Sequence, residues 1–293
     1  MSRLRAKCPH CKTHTAVAIG PSYECHACGR EYAAGLVRVP GAWGTGGEGM
    51  VEAATTLDLP YPEAAVVAEE TLGDQTLVVA TELPERPLVL GGCCCAHIGA
   101  VEALATRHDR LALVWFDAHG DLNTPATTPS GNVHGMPLAA ALGRDQEAFA
   151  SDAWPLPAVE PEKTVLIGVR SLDEGERAFV RESGIGIYTM SELDRRGIEP
   201  AVHEALERLE GAPFVHVSLD MDVVDPEMTP GVGTPVRGGL SYREAHLALE
   251  LLAESGKMSS FEIVEVNPIL DRGNETADLA VELTASAFGA RIL

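Results

Sequence analysis

From about residue 74 onward, short runs rich in β-branched residues alternate with longer segments whose apolar residues recur at helical spacing. The runs are QTLVVA, RPLVLG, LALVWF, KTVLIGV, IGIY, PFVHVSL and FEIVEV, and between them lie AHIGAVEALATRH, DEGERAFVRES, EPAVHEALERLE and SYREAHLALELLAES. A strand that is apolar almost throughout must be covered on both faces, and parallel neighbours need a crossover, usually a helix. The alternation therefore predicts an α/β protein with a mainly parallel sheet packed between helices. In such folds ligands sit at the carboxyl ends of the strands, which is where chemistry is expected.

The chain has 293 residues, enough for one large α/β domain with something small added. Its 43 acidic residues against 22 basic ones repel nucleic-acid backbones and anionic membrane surfaces, so a nucleic-acid partner is disfavoured. No apolar run approaches the roughly 20 residues that cross a bilayer, and the basic start MSRLRAK leads into CPHC rather than an apolar signal segment. No membrane association and a cytoplasmic address are expected. Seven cysteines, arranged as two CxxC pairs and one CCC run, suit a reducing compartment and metal chemistry better than a disulfide framework.

Residues 1–34 carry Cys8 and Cys11, then Cys25 and Cys28, with thirteen residues between the pairs. Two CxxC turns close a tetrahedron of sulfurs around one ion and organise a segment too short to build its own core. CHACG followed by Arg30, Glu31 and Tyr32 resembles a zinc ribbon holding one structural Zn²⁺, with iron in a rubredoxin-like site as the rival. His10 and His26 read as exposed passengers. Arg3, Arg5, Lys7, Lys12 and Arg30 against Glu24 and Glu31 leave little positive charge once four thiolates and one Zn²⁺ are counted, which is weak support for nucleic-acid docking. The stretch GAWGTGGEG lacks the Lys-Ser/Thr ending of a phosphate-binding loop and reads as a connector.

LVWFDAHGD puts Asp117, His119 and Asp121 at positions i, i+2 and i+4 at a strand end, where extended backbone aims all three the same way. VHVSLDMDVVDP does the same with Asp220 and Asp222, followed by Asp225. Alone, an Asp-x-Asp is most often a cap or a solvated loop. Together the clusters bring four carboxylates to one site, which costs several kcal/mol unless cations neutralise them. An oxygen-rich set with one imidazole suits Mn²⁺ or another fairly hard divalent ion, and shared carboxylates suit two of them.

Through DAHGDLNTPATTPSGNVHG, SLDMDVVDPEMTPGVGTPVRGGLSYRE and EIVEVNP, over roughly residues 75 to 290, the chain resembles the arginase/agmatinase (ureohydrolase) family of binuclear manganese amidinohydrolases. The resemblance implies a three-layer α/β/α ureohydrolase fold for residues 35–293. It also implies Asp117, His119, Asp121, Asp220 and Asp222 as ligands of two divalent ions, Mn²⁺ first, with Asp117 and Asp220 bridging. A guanidinium is a poor electrophile, and a water shared by two metals supplies hydroxide at neutral pH. Asp121 is placed to orient that metal-bridging hydroxide, His134 to give the leaving amine its proton, and Glu265 to pair with the guanidinium. The plainer reading of His134 is a satisfied core histidine.

Asn123, Thr128, Ser130 and Asn132 match positions that hold the substrate α-carboxylate in arginases, although turns favour the same residue types. Asp173 matches the residue that holds the α-amino group, with Glu176 beside it, and Thr234 lines the pocket near the guanidino nitrogens. Hydrolysis of L-arginine to L-ornithine and urea is the expected activity, with another guanidino or formimino amino acid as the alternative substrate. The family is commonly assembled as homo-trimers or hexamers.

Four departures qualify this. The family's usual Gly-Gly-Asp-His-Ser is here GGCCC, so Cys94 stands at a histidine ligand's position, with Cys93 and Cys95 as packing or neighbours of the site. A thiolate would shift preference towards Zn²⁺, Fe²⁺ or Co²⁺, or weaken one position, whereas cysteine as a plain apolar filler is the bland reading. His97 could replace the missing ligand only if the loop were re-routed. Ser171 stands where arginases commonly carry an acidic residue, and Arg237 replaces an apolar one and reads as surface. The family's first strand is either supplied by LVRVPGAW or lost. Cys94 keeps open a catalytically impaired ligand-binding or regulatory homologue, against which the retained His134 and Glu265 argue.

Overall fold

The computed structural model describes residues 5–19, 22–44, 47–108, 111–144 and 157–290. Arg3 of the expected ribbon, and Thr45 and Gly46 of the glycine-rich stretch, lie outside them. Eight strands, most of them buried along their whole length, assemble one sheet. They are β4 (Gly35–Val39), β5 (Glu63–Val66), β6 (Pro87–Gly91), β7 (Leu111–Phe116), β8 (Thr164–Val169), β9 (Gly186–Thr189), β10 (Phe214–Asp220) and β11 (Met258–Val264). Their order is β5-β4-β6-β11-β10-β7-β8-β9, and every pairing is parallel.

Helices cover both faces, giving the three-layer α/β/α arrangement. One core packs Val215, Val217 and Leu219 of β10 against the helices Ile198–Arg208, Tyr242–Ser255 and Glu275–Ala287. The other packs Val89, Leu113 and Trp115 against α2 (Leu72–Glu82) and α3 (Ala96–Arg107). The four segments read as helices all form helices. No helix among the described residues is long and apolar enough to cross a membrane.

QTLVVA, expected as a strand, lies instead inside α2. Thr71 caps that helix through its Oγ1, which accepts from the Asp74 N–H at 3.1 Å, and Gln75, Thr76 and Val79 form its buried face while Leu77 is exposed. A four-residue apolar run cannot separate strand from helix by itself, and the cap with the i, i+4 burial decides it. β5, with its half-exposed EAAV, and the helices Gly47–Thr56, Met190–Arg196 and Glu275–Ala287 were not marked by the sequence. LVRVPGAW does supply a strand, β4, fully buried between β5 and β6.

Residues 6–32 form a separate three-stranded antiparallel sheet of β1 (Ala16–Ile19), β2 (Ser22–Cys25) and β3 (Glu31–Tyr32). It is held to the edge strand β5 by a two-way backbone bridge, Lys7 N–H to Glu63 O at 2.9 Å and Glu63 N–H to Lys7 O at 3.0 Å. The Tyr23 ring lies over Gly35, where a Cβ would sit 2.6 Å from it. The small sheet thus covers a strand edge that would otherwise expose unpaired backbone groups.

One packing feature has a pH signature. Glu102 on α3 is buried, its Oε2 has no partner, and burial pushes its carboxyl from 4.5 up to about 7. A group whose folded pKa is raised stabilises fully below its unfolded value and loses that contribution as pH rises through the folded one, here between 4.5 and about 7. Glu102→Gln is expected to remove this loss and raise stability at about pH 8 by on the order of 2 kcal/mol, measured by urea unfolding at about pH 5 and pH 8.

Candidate metal centre and substrate cleft

The residues singled out between positions 94 and 265 gather at the carboxyl ends of β6, β11, β10, β7 and β8, which are consecutive in the sheet. Their convergence does not come from the alternation of extended backbone expected for Asp117, His119 and Asp121. β7 ends at Phe116, and Asp121 has a left-handed backbone with φ 52°. Likewise β10 ends at Asp220, and Asp222 sits in the single turn Met221–Val223, its N–H donating to Asp220 Oδ1 at 2.7 Å. Glu265 is also left-handed, with φ 67°. For non-glycine residues this conformation costs about 1–3 kcal/mol each and persists where surroundings over-determine it, commonly at functional sites.

Backbone and indole groups aim the carboxylates. The Trp115 Nε1–H donates to Asp117 Oδ2 at 2.9 Å, the His119 N–H to Asp117 Oδ1 at 2.6 Å, and the Ala118 N–H to Asp222 Oδ1 at 3.1 Å. Three sets result, Cys94 with Asp117 and Asp121, Cys94 with Asp220 and Glu265, and Asp117 with His119 and Asp222. In each, the ligand atoms lie within 4.8 Å of one another. Cys94 links the first two, its Sγ 3.0 Å from Asp220 Oδ2.

The electrostatics describe an unfinished arrangement. Burial, then the charge of Asp222, pushes the Asp117 carboxyl up, and burial with neighbouring carboxylates pushes Asp121 and Asp220 well above the usual range. Burial acts against the charge of His119, but hydrogen bonds to Asp117 and Asp222 outweigh it and drive the imidazole up to about 12. Burial raises Asp222 too, yet its bonds to His119 win and hold it low. Asp121 Oδ2 is buried with no partner. Four buried carboxylates with one orphaned oxygen and an imidazole form a donor set that fits divalent cations, whose charge would offset the crowding.

The cysteine run divides. Cys93 and Cys95 turn into an apolar cluster with Met50, and the Trp43 N–H donates to Cys93 Sγ at 3.3 Å. Cys94 faces the carboxylates. His97 does not reach the site and so does not replace the missing ligand. It lies three residues after Cys94, in the first turn of α3, whose buried face turns it down onto the sheet against Glu262, Ser218 and His216.

A cleft of about 210 Å³ opens over the cluster, lined by Cys94, His119, Asp121, Asn123, Thr128, Ser130, Asn132, His134, Asp173, Glu176, Asp220, Thr234 and Glu265. Asp173 and Glu176 form a capping box on the helix Glu174–Ser183, and Asp173 Oδ2 accepts from Asn123 Nδ2 at 2.8 Å. Thr128 and Ser130 also close a turn, their hydroxyls accepting from the Gly131 and Asn132 N–H groups at 3.1 and 3.2 Å, so turn chemistry and cleft lining coexist. The Thr234 hydroxyl donates to Asp222 Oδ2 at 3.1 Å. His134 is not a satisfied core histidine, because its Nε2 is buried without a partner, and burial, then the charge of His119, lowers its pKa. Glu265 accepts from the Cys94 N–H at 3.0 Å, and burial raises its carboxyl to about 7. Arg237 is exposed.

Sequence reasoning missed two contributors. The glycine-rich connector reaches the site, since a Cβ at Gly44, with φ 131°, would sit 2.4 Å from the His134 ring. Only its glycine content hinted at so close an approach. Arg170 donates to the carbonyls of Asp222 at 2.6 Å, Val223 at 3.1 Å and Val236 at 2.7 Å, tying the Asp222 turn to the loop that carries Thr234. Nothing in its sequence context separates it from a surface arginine. Arg170→Met is expected to weaken metal binding by roughly 10- to 100-fold, as loss of a partner behind the ligands does, read by titration of the metal-free protein with Mn²⁺.

A parallel α/β/α sheet with carboxylates and an imidazole clustered for two cations at its carboxyl ends defines a metal-dependent hydrolase of the ureohydrolase class. The arginase family profile matches residues 48–289. The arginase of Bacillus subtilis (strain 168) is 52% identical over 207 residues, 71% of this chain and 70% of the relative, and that of Bacillus caldovelox is 54% identical over 208 residues, again 71% and 70%. A crystal structure of the Bacillus subtilis arginase superposes with a TM-score of 0.81 at 39% identity, covering 89% of this chain and 99% of that one. The chain belongs to the arginase family.

Proposed function

We propose that this protein hydrolyses L-arginine to L-ornithine and urea with two divalent ions, Mn²⁺ as the first candidate, which Cys94, Asp117, His119, Asp121, Asp220 and Asp222 would hold. The observation that carries this is the buried carboxylate cluster opening into a cleft rimmed by hydroxyls and amides. The relatives named as arginases lend their activity to the reading. When bound, two ions sharing carboxylates lower the pKa of a shared water and supply hydroxide at neutral pH.

The chain's own residues do the rest. The free Oδ2 of Asp121 accepts a hydrogen bond from the attacking oxygen and holds it in line. Glu265, whose Oε1 is engaged by Cys94, turns its carboxylate to the guanidinium, and Thr234 borders the same end. Attack at the guanidinium carbon is followed by cleavage of its bond to the side-chain nitrogen. His134 relays to that leaving nitrogen the proton that the attacking oxygen gives up as the carbon becomes urea, so ornithine departs as an amine. At the rim, Asn123, Thr128, Ser130 and Asn132 hold the α-carboxylate, directly or through water, and Asp173 with Glu176 beside it holds the α-amino group.

Residues 1–34 form a zinc ribbon in this reading, and residues 35–293 the hydrolase domain. The Cys8–Cys28 and Cys11–Cys25 sulfurs are 3.8 and 3.5 Å apart. A tetrahedron with Zn–S bonds of about 2.3 Å has edges of about 3.8 Å. One structural Zn²⁺ belongs there. We also take the protein to work in the cytoplasm as a homo-oligomer, of trimer or hexamer type by family resemblance.

The test is to strip the protein with chelator, reload it with Mn²⁺, Co²⁺, Zn²⁺ or Fe²⁺, and measure urea released from L-arginine, from agmatine and from other guanidino acids. Turnover of L-arginine above the others is expected. Failure to turn over any guanidino compound with any metal would sink the reading.

A further inference from the structure

Two of the ligand sets share Asp117 but end differently. One carries the sulfur of Cys94 beside Asp117 and Asp121, with Asp220 at 3.0 Å, whereas the other carries the imidazole of His119 between Asp117 and Asp222. Of the three consecutive cysteines only Cys94 faces carboxylates, and it is held there. Its N–H donates to Glu265 Oε1 at 3.0 Å and its Sγ lies 3.4 Å from the same oxygen, while Cys93 and Cys95 are packed away with Met50. Cys94 also packs into the core beside Val89 and Val264, but unlike its neighbours its sulfur lies within reach of two carboxylates. The set it joins also contains Asp121, a buried carboxylate whose Oδ2 meets no partner among the described residues.

Ligand softness then separates the two positions. Thiolate favours Zn²⁺ and other thiophilic ions, while carboxylate oxygens accommodate the harder Mn²⁺. We propose that the centre is a mixed-metal pair, with Zn²⁺ or a similarly thiophilic divalent ion at Cys94, Asp117 and Asp121 and Mn²⁺ at Asp117, His119 and Asp222. This deepens the binuclear reading above and rests on it. The departure from histidine at position 94 thereby makes the two positions chemically unequal rather than disabling one.

The test uses the full chain, chelated and then reloaded with roughly a hundredfold excess of Mn²⁺ over Zn²⁺, because Zn²⁺ binds any given nitrogen, oxygen and sulfur set more tightly than Mn²⁺ does. Anomalous diffraction recorded at the manganese and zinc edges assigns the ion at each position and separates the ribbon cysteines from the cluster, and elemental analysis gives the stoichiometry. Zinc bonded to Cys94 Sγ and manganese at His119 are expected. Cys94→His is expected to lower zinc retention at that position at least tenfold in favour of manganese, and Cys94→Ser serves as a second variant should the larger ring disturb folding. Manganese at both wild-type positions, zinc at both, or an ion out of bonding reach of the sulfur overturns the mixed pair while leaving the binuclear reading intact. A cluster that takes up no metal in any mixture overturns the binuclear reading itself.

Discussion

His134→Asn lowers kcat for L-arginine by about 10²- to 10⁴-fold, the range for losing a positioned proton donor, and leaves KM and metal content nearly unchanged. The expectation rests on where the ring stands. It sits in the short turn Val133–Gly135, its Nε2 is buried without a partner among the described residues, and the loop at Gly44 closes against the Cδ2–Nε2 edge of the ring. Nothing among the described residues engages that nitrogen, so substitution removes a group free to exchange a proton with substrate rather than a structural bond. Steady-state kinetics with elemental analysis of the same preparation checks the split, and partial recovery by added imidazole is expected. A variant that loses its metals, or whose defect falls mainly on KM, would show that His134 shapes the site instead of serving the leaving group.

Asp220→Asn acts with opposite sign on two measurements. Activity falls by on the order of 10³-fold, since charge stabilisation by bound metal is worth several kcal/mol and each 1.36 kcal/mol is a factor of ten. The metal-free variant, by contrast, is more stable than metal-free wild type at neutral pH by roughly 1–3 kcal/mol. Burial, and then the charge of Asp222, raises the Asp220 carboxyl well above its ordinary range. Its contribution is therefore intact below the unfolded pKa and lost as pH rises, so at neutral pH its ionised form works against the fold. Asparagine keeps an oxygen able to accept from the Asp222 N–H, now at 2.7 Å, and discards the charge. Wild type recovers stability on metal addition by mass action, and the variant does not. Denaturant unfolding with and without Mn²⁺ measures both, and a metal-free variant less stable than wild type would assign Asp220 a structural role.

Much of the fold could be read from the chain because its strands are apolar on both faces and its helices carry clear periodicity. QTLVVA was misread for want of length, a capped helix with one buried stripe looking locally like a strand. β5 escaped notice because an edge strand with half-exposed alanines has no pattern to show. For the site, residue types were legible while geometry was not. Asp117, His119, Asp121, Asp220 and Asp222 do converge, but through a left-handed Asp121 and a single turn at Asp222, conformations that no spacing rule encodes.

The sequence by itself determined the layered α/β architecture, the acidic and imidazole donors at the strand ends and the two CxxC pairs of the amino-terminal segment, because burial pattern and donor chemistry are properties of local composition. Only the tertiary structure decided how GGCCC is divided, with Cys94 turned to Asp220 and Glu265, Cys93 and Cys95 packed with Met50, and His97 drawn onto Glu262 beneath. It likewise decided that Gly44 and Arg170 belong to the site. The physical reason is that a side chain's direction at a strand end depends on contacts with residues more than a hundred positions away, as Cys94 with Asp220 and Glu265 shows.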